Sequence, residues 1–289
     1  MDVYWLFVAL IGGLVAYDFQ SFLFGIAASP FARIPHRQIF VYTLIGRFFS
    51  AFLPSGIGGD VIKGIYLRPY FRNTSEVVTS LIAHRIAGGL TGIMTALLAV
   101  SILYTVPSTP LSLEIISSSS RFIMLSGILA LACLIAYTLL RRNKLRLNRI
   151  WRAYSGVKLY WHRKEILIKL AGGSMVAHGM TVLLCLVVSY SLNMPLSFSQ
   201  ALLASMVTLV FTYFPLTPGN VGVGESVFVY VATNVGVGQD EAITIALLRR
   251  LLGYAYALPG GLLYVLHLYQ IGSTSRGANV STNDNNKES

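Results

Sequence analysis

The sequence predicts an all-α, polytopic membrane protein with two inverted repeats, each holding a Pro/Gly-broken or re-entrant helix hairpin. Three observations carry that prediction. First, the 289 residues are 55% hydrophobic and only 11% charged, with a mean hydropathy of +0.66, whereas a soluble domain has about a quarter of its residues charged. Second, five apolar stretches match the roughly 20 helical residues that cross a hydrocarbon core of about 30 Å. Third, two shorter apolar stretches are each cut by a Pro/Gly run that contains a single acid, PSGIGGD at 54–60 and PLTPGNVGVGE at 215–225.

The first span covers 3–28; it follows Asp2 without a basic n-region and is too long for a signal-peptide core. Residues 39–53 stop at Pro54 and the glycines, and a further apolar segment, Val61 to Phe71, follows. The second full span, 77–103, is preceded by Asn73 and Glu76, three residues apart, which make an N-cap and capping box. A third span covers 121–140. The segment from Arg141 to Lys164 holds nine Lys/Arg and no acid, so it is expected on the cytoplasmic side. Its Trp151, Tyr154, Tyr160 and Trp161 suit an interfacial amphipathic helix. Spans at 166–192 and 242–269 flank the second interrupted stretch, in which 198–214 is stopped by PLTPGNVGVGE and followed by SVFVYVATNVGV. A single integral membrane domain over 1–270 is therefore expected, with a polar, disordered tail at 271–289.

Charge placement orients the chain. The loops with Arg33 and Arg37 and with Arg68 and Arg72 both read as cytoplasmic, which requires residues 39–71 to enter and leave on one side. Repeat A (3–103) and repeat B (166–269) are separated by the linking span 121–140 and the basic segment 141–165, so the second copy is inverted. PSGIGGD lies over PGNVGVGE, and AHRIAGG (83–89) over LRRLLGY (248–254). Asp60 precedes Arg85 by 25 positions, and Glu225 precedes Arg250 by the same 25. Sequons at Asn73 and Asn279 fall on the expected cytoplasmic side and are read as chance.

Broken backbone at membrane depth is tolerated only where it is buried in protein or lines a cavity. Half-helices that meet there offer free N–H groups and positive dipole ends to an anion. The expected substrate-binding set is Arg47, Ser55, Asp60, Lys63, Arg85, Glu225, Arg249 and Arg250. Two readings of the acid–arginine pairs stand together. They are buried ion pairs that fix two broken helices, or they belong to the pathway of an anionic headgroup, and a paired arginine can still exchange partners. His84 adjoins Arg85 and reads as a proton sensor or a packing residue; His178 and Asp18 have no partner that the sequence supplies. Cys133 and Cys185 lie within apolar spans and read as small packing residues. GNVGVGES lacks the GK[ST] ending of a nucleotide loop, and no nucleophile–base spacing or clustered metal ligands occur. Catalysis, cofactors, metals and nucleic acid are not expected.

GRFFSAFLPSGIGGDVIKGIYL (46–67), followed by an R(I/L)xG segment at Arg85 and again at Arg250, resembles the transmembrane region of the lysylphosphatidylglycerol synthase family. The likeness runs from about Tyr17 to His267. It implies a flippase-like domain in stand-alone form, without the soluble aminoacyl-transferase domain, and a pattern that begins at the family's second span, which leaves Met1 external. The expected function is movement of an anionic or glycosylated lipid, of phospholipid or polyprenyl-phosphate type, between leaflets of a prokaryotic inner membrane. The alternatives are a lipid-binding accessory subunit of envelope synthesis and a small-anion secondary transporter. A homo-oligomer or an envelope-synthesis enzyme is left open as partner.

Overall fold

The computed structural model describes residues 2–52, 58–105, 159–160, 162–213 and 217–285, and every regular element among them is helical. Four helices are long and apolar enough to cross a membrane: α1 (Val3–Ala28), α4 (Thr74–Thr105), α5 (Lys164–Ser191) and α8 (Gln239–Asn285), the last over its apolar part to Leu268. Between them lie α2 (His36–Phe52), α3 (Gly58–Leu67), α6 (Phe198–Thr212) and α7 (Val223–Asn234). At about 1.5 Å per residue, α3 and α7 are roughly 15 and 18 Å long, too short to cross alone. The expected span 121–140, most of the basic segment and Cys133 lie outside the described residues.

Where the helices start differs from the sequence reading in an informative way. The acids were placed in the breaks, with the following apolar segments beginning at Val61 and Ser226. Instead α3 begins at Gly58 and α7 at Val223, so Asp60 and Glu225 sit in first turns. A carboxylate there offsets the unpaired amides and the positive end of the helix. The helix of α8 extends to Asn285; extending an existing helix adds a hydrogen bond per residue without a new nucleus.

The Asn73 cap forms as expected, with the Glu76 N–H donating to Asn73 Oδ1 at 3.0 Å and the Arg72 N–H donating to Glu76 Oε2 at 3.1 Å. A second capping box joins Ser197 and Gln200 at the start of α6. Asn193, at φ 57°, ends α5 with the left-handed turn that asparagine tolerates.

Packing then places the breaks side by side. α1 lies along α5, α2 along α8 and α3, and α6 along α7 and α4. The α2–α8 crossing is backbone on backbone: a Cβ on Gly260 would collide with the Leu44 carbonyl and lie 3.0 Å from Ile45 N. Only glycine permits that approach. Outward faces carry exposed apolar side chains such as Leu97, Leu98, Ile168 and Leu262, the pattern of a surface meant for hydrocarbon and not for water.

Candidate functional site

Each break ends in an acid–arginine pair, and the two pairs are built differently. In the first, Arg85 on α4 donates from Nη1 to Asp60 Oδ2 on α3 at 2.6 Å. In the second, Arg250 on α8 donates from Nε to the Glu225 carboxylate, from Nη1 to the Gly219 carbonyl at 2.8 Å, and from Nη2 to the Asn220 carbonyl at 2.8 Å. Glu225 also accepts from the Gly222 N–H at 2.9 Å. Gly219, Asn220 and Gly222 have φ of 58°, 57° and 82°, values open to glycine and, less readily, to asparagine. The glycines let the chain turn left-handed, and Arg250 ties the carbonyls that the turn exposes.

Two cavities of about 300 and 310 Å³ adjoin these pairs. Cavity A, at the first break, is lined by Asp60, Lys63 and Arg85, together with Tyr17, His84 and Tyr213. Cavity B, at the second, is lined by Glu225, Arg249 and Arg250, with Thr208, Asn220 and Tyr254. Arg47, Ser50 and Thr212 line both. The structure thus brings together seven of the eight expected residues, and Ser55 lies outside the described residues. Five cations face two carboxylates around the two cavities, a surplus of three positive charges.

Among the described residues, Lys63, Arg47 and Arg249 form no ion pair with a carboxylate. Lys63 is only 7% exposed, and its Nζ stands 3.9 Å over the Phe24 ring. Arg249 lies over Phe228 at 4.6 Å and Arg47 over Tyr17 at 5.4 Å. Aromatic faces attract cations more weakly than carboxylates do, and leave the ammonium or guanidinium edge available. Arg47 is the extreme case, since its Nε is buried with no hydrogen-bond partner among the described residues. A buried donor left unpaired costs about 1–3 kcal/mol, so its position in the shared wall has to be repaid by the surrounding fold or by a ligand.

The weaker sequence candidates resolve into one surface pair and two residues of cavity A, His84 and His178. His178 is buried and bridges α5 to α4 through the Gly88 carbonyl and Thr91 Oγ1, both at 3.1 Å. Asp18 pairs with His36 at 2.7 Å on the exposed surface. His84 lines cavity A with its ring edge-on to Phe24. Sequence reasoning missed Ser50 and Thr212, which link the cavities. Their signal was a hydroxyl in the last helical turn before each proline, four residues ahead of Pro54 and three ahead of Pro215.

The family model described as lysylphosphatidylglycerol synthase TM region matches residues 1–260 of the chain. No curated protein and no solved structure matches it. With four helices of spanning length and apolar composition, the match makes this an integral membrane protein.

Proposed function

We propose that this chain, which belongs to the lysylphosphatidylglycerol synthase TM region family, moves an anionic or glycosylated lipid, of phospholipid or polyprenyl-phosphate type, between leaflets without an ATPase of its own. The observation that carries the reading is Arg47. It stands in the wall common to two polar cavities, unpaired by any carboxylate among the described residues and with one donor buried and unused. A cation so placed suits an anion that passes from one cavity to the other. Each cavity, at about 300 Å³, lies at the small end of ligand sites. It accommodates a headgroup, and the chains must stay in lipid.

The matched 25-residue spacing of Asp60–Arg85 and Glu225–Arg250, both of them ion pairs, supports the inverted repeat. Under that reading each hairpin re-enters from its own side, and the site lies where the half-helices meet near the midplane. Asp60 and Arg85 line a membrane-facing groove as well as cavity A. That lateral continuity favours a lipid over a small soluble anion. In this family setting we place the protein in a prokaryotic inner membrane.

The functional test is reconstitution in proteoliposomes with a labelled anionic phospholipid or polyprenyl phosphate. Arg47→Lys keeps the charge but loses the planar fork that grips phosphate oxygens in pairs, and transport should fall at least tenfold while Lys169→Ala transports like wild type. Unchanged transport by folded Arg47→Lys would remove Arg47 from the pathway; a wild-type protein that moves no lipid of either class would favour an accessory subunit. For topology, single cysteines in the loop of Arg33 to Arg37 and the turn of Arg68 to Asn73 should both resist an impermeant external thiol reagent. Opposite labelling would end the re-entrant reading and the inverted repeat.

A further inference from the structure

We infer that cavity A holds a small inorganic monovalent anion of the halide class, bound between Lys63 and Arg47 as their counter-ion. The site rests on the charge balance of the cavities and stands whether or not any lipid crosses.

Of the chain's acids, Asp60 and Glu225 are the two among the described residues that line the cavities, and each is held by its own arginine. The break segments outside the described residues, LPSGI at 53–57 and FPL at 214–216, contain no acid and supply no further carboxylate. An ionised side chain within a span is ordinarily paired, and a charge taken out of water without compensation is costly. A small anion, present in the water on both sides of any membrane, supplies the missing charge without a residue to carry it.

Geometry puts that anion at Lys63. The residue is only 7% exposed yet lines cavity A, and it makes no ion pair with a carboxylate among the described residues. Its ammonium carries three donors. One side of it faces the Phe24 ring, 3.9 Å from the centroid. Arg47 approaches from the neighbouring helix: a Cβ on Gly46, the residue before it, would stand 3.4 Å from Lys63 Cβ. The Arg47 guanidinium lies over Tyr17, and its buried Nε has no partner. Tyr17 and Phe24 are seven residues apart on α1 and so share a face, at a spacing of about 10 Å by the helical rise. The two cations therefore stand over two aromatic platforms of one helix face, with the cavity between them. Gly59, in the first turn of α3, lines the same space and adds the positive end of that helix. A volume of about 310 Å³ leaves room for a small anion and several waters, each of which takes about 30 Å³.

Lys63 is a compact point charge without the planar fork that suits an oxyanion, and Asp60 in the same wall repels a second negative charge, so the fit is to a spherical, singly charged ion. Cavity B is less suited. Its free cation, Arg249, shares the wall with Asn220, whose buried Oδ1 is an acceptor without a partner among the described residues.

The test is chloride binding to the purified protein in detergent, exchanged into sodium gluconate. Equilibrium dialysis with radioactive chloride at constant ionic strength should show saturable binding of one ion per chain, displaced by bromide and not by gluconate. Lys63→Met, which keeps the stem on Phe24 without the charge, and Arg47→Gln should each weaken binding at least tenfold, while Lys169→Ala, exposed outside the cavities, should bind like wild type. Melting is the second readout. Chloride should raise the wild-type Tm above its value in gluconate, as a ligand of the folded state does, and Lys63→Met should lose that rise while melting no lower than wild type in gluconate. Should Lys63→Met fail to fold, Arg47→Gln carries both measurements. A wild-type protein without saturable chloride binding overturns the inference, as does binding that survives both substitutions; an equal loss in Arg249→Gln would move the ion to cavity B and overturn it too. Chloride binding without movement of lipid would fail the transport reading and leave this one standing, and lipid movement by a protein that binds no chloride would do the reverse.

Discussion

At the second helix break a guanidinium is engaged on all three of its nitrogens, by Glu225 and by the Gly219 and Asn220 carbonyls. At the first, the matching guanidinium holds one carboxylate oxygen through one nitrogen among the described residues. Exposure follows the same order, with the Arg85 and Asp60 side chains 29% and 43% exposed against 23% and 19% for Arg250 and Glu225. Among the described residues, identical spacing thus gives a guanidinium braced by loop carbonyls at one break and one that holds a single carboxylate oxygen at the other. At the second break, left-handed residues at 219, 220 and 222 turn carbonyls toward Arg250. A shared acid–arginine spacing fixes which residues meet, not how many contacts each arginine makes.

The comparison can be broken most directly through stability. Arg250→Ala leaves Glu225 partly buried without its partner and frees two loop carbonyls, a loss of about 3–5 kcal/mol. Arg85→Ala, in the more exposed pair, should cost only about 1 kcal/mol. Thermal melts in detergent check this, and equal losses would show the pairs to be equivalent. Charge reversal sharpens the point. Asp60→Arg with Arg85→Asp should restore most of the stability lost in either single variant, because the pair has little else to maintain. Glu225→Arg with Arg250→Glu should not, since a glutamate cannot donate to Gly219 and Asn220. Recovery in both would mean that the carbonyl contacts are incidental.

A third variant separates stability from function. Arg47→Met fills similar space without a buried unpaired donor, so the protein should gain about 1–2 kcal/mol while lipid transport drops at least tenfold. A loss of stability instead would assign Arg47 to the fold. The smallest effect concerns the turn itself: Gly222→Ala forces a side chain to φ 82° and should cost about 1 kcal/mol, with no Cβ clash to add to it, since nothing lies within 4 Å.

Much of this architecture was legible from residues alone. Spans α1, α4, α5 and the apolar part of α8 were visible as runs of the right length, and the 25-residue spacing named both ion pairs before any coordinates. The Asn73–Glu76 cap was readable for the same reason, as it depends on a local side-chain pattern. What escaped was set by tertiary geometry. Hydropathy gives no weight to an acid in a first turn, so α3 and α7 were started three residues late. Asp18 and His178 drew no partner from sequence because theirs, His36 and the Gly88–Thr91 stretch, sit on other helices. The carbonyl contacts of Arg250 were unreadable as well, because they lie in the directions of a loop backbone and not in any residue type.

The glycine crossing of α2 and α8 has a mechanical consequence. Gly260 lets the backbones touch at Leu44 and Ile45, one turn before Arg47, and Pro259 beside it removes a hydrogen bond from the helix ladder. A rigid weld and a weak joint therefore coincide at one point, which is the arrangement of a fulcrum. If α8 tilts there, α2 has no slack in which to stay behind, and the arm carrying Arg249 and Arg250 swings together with the arm carrying Arg47.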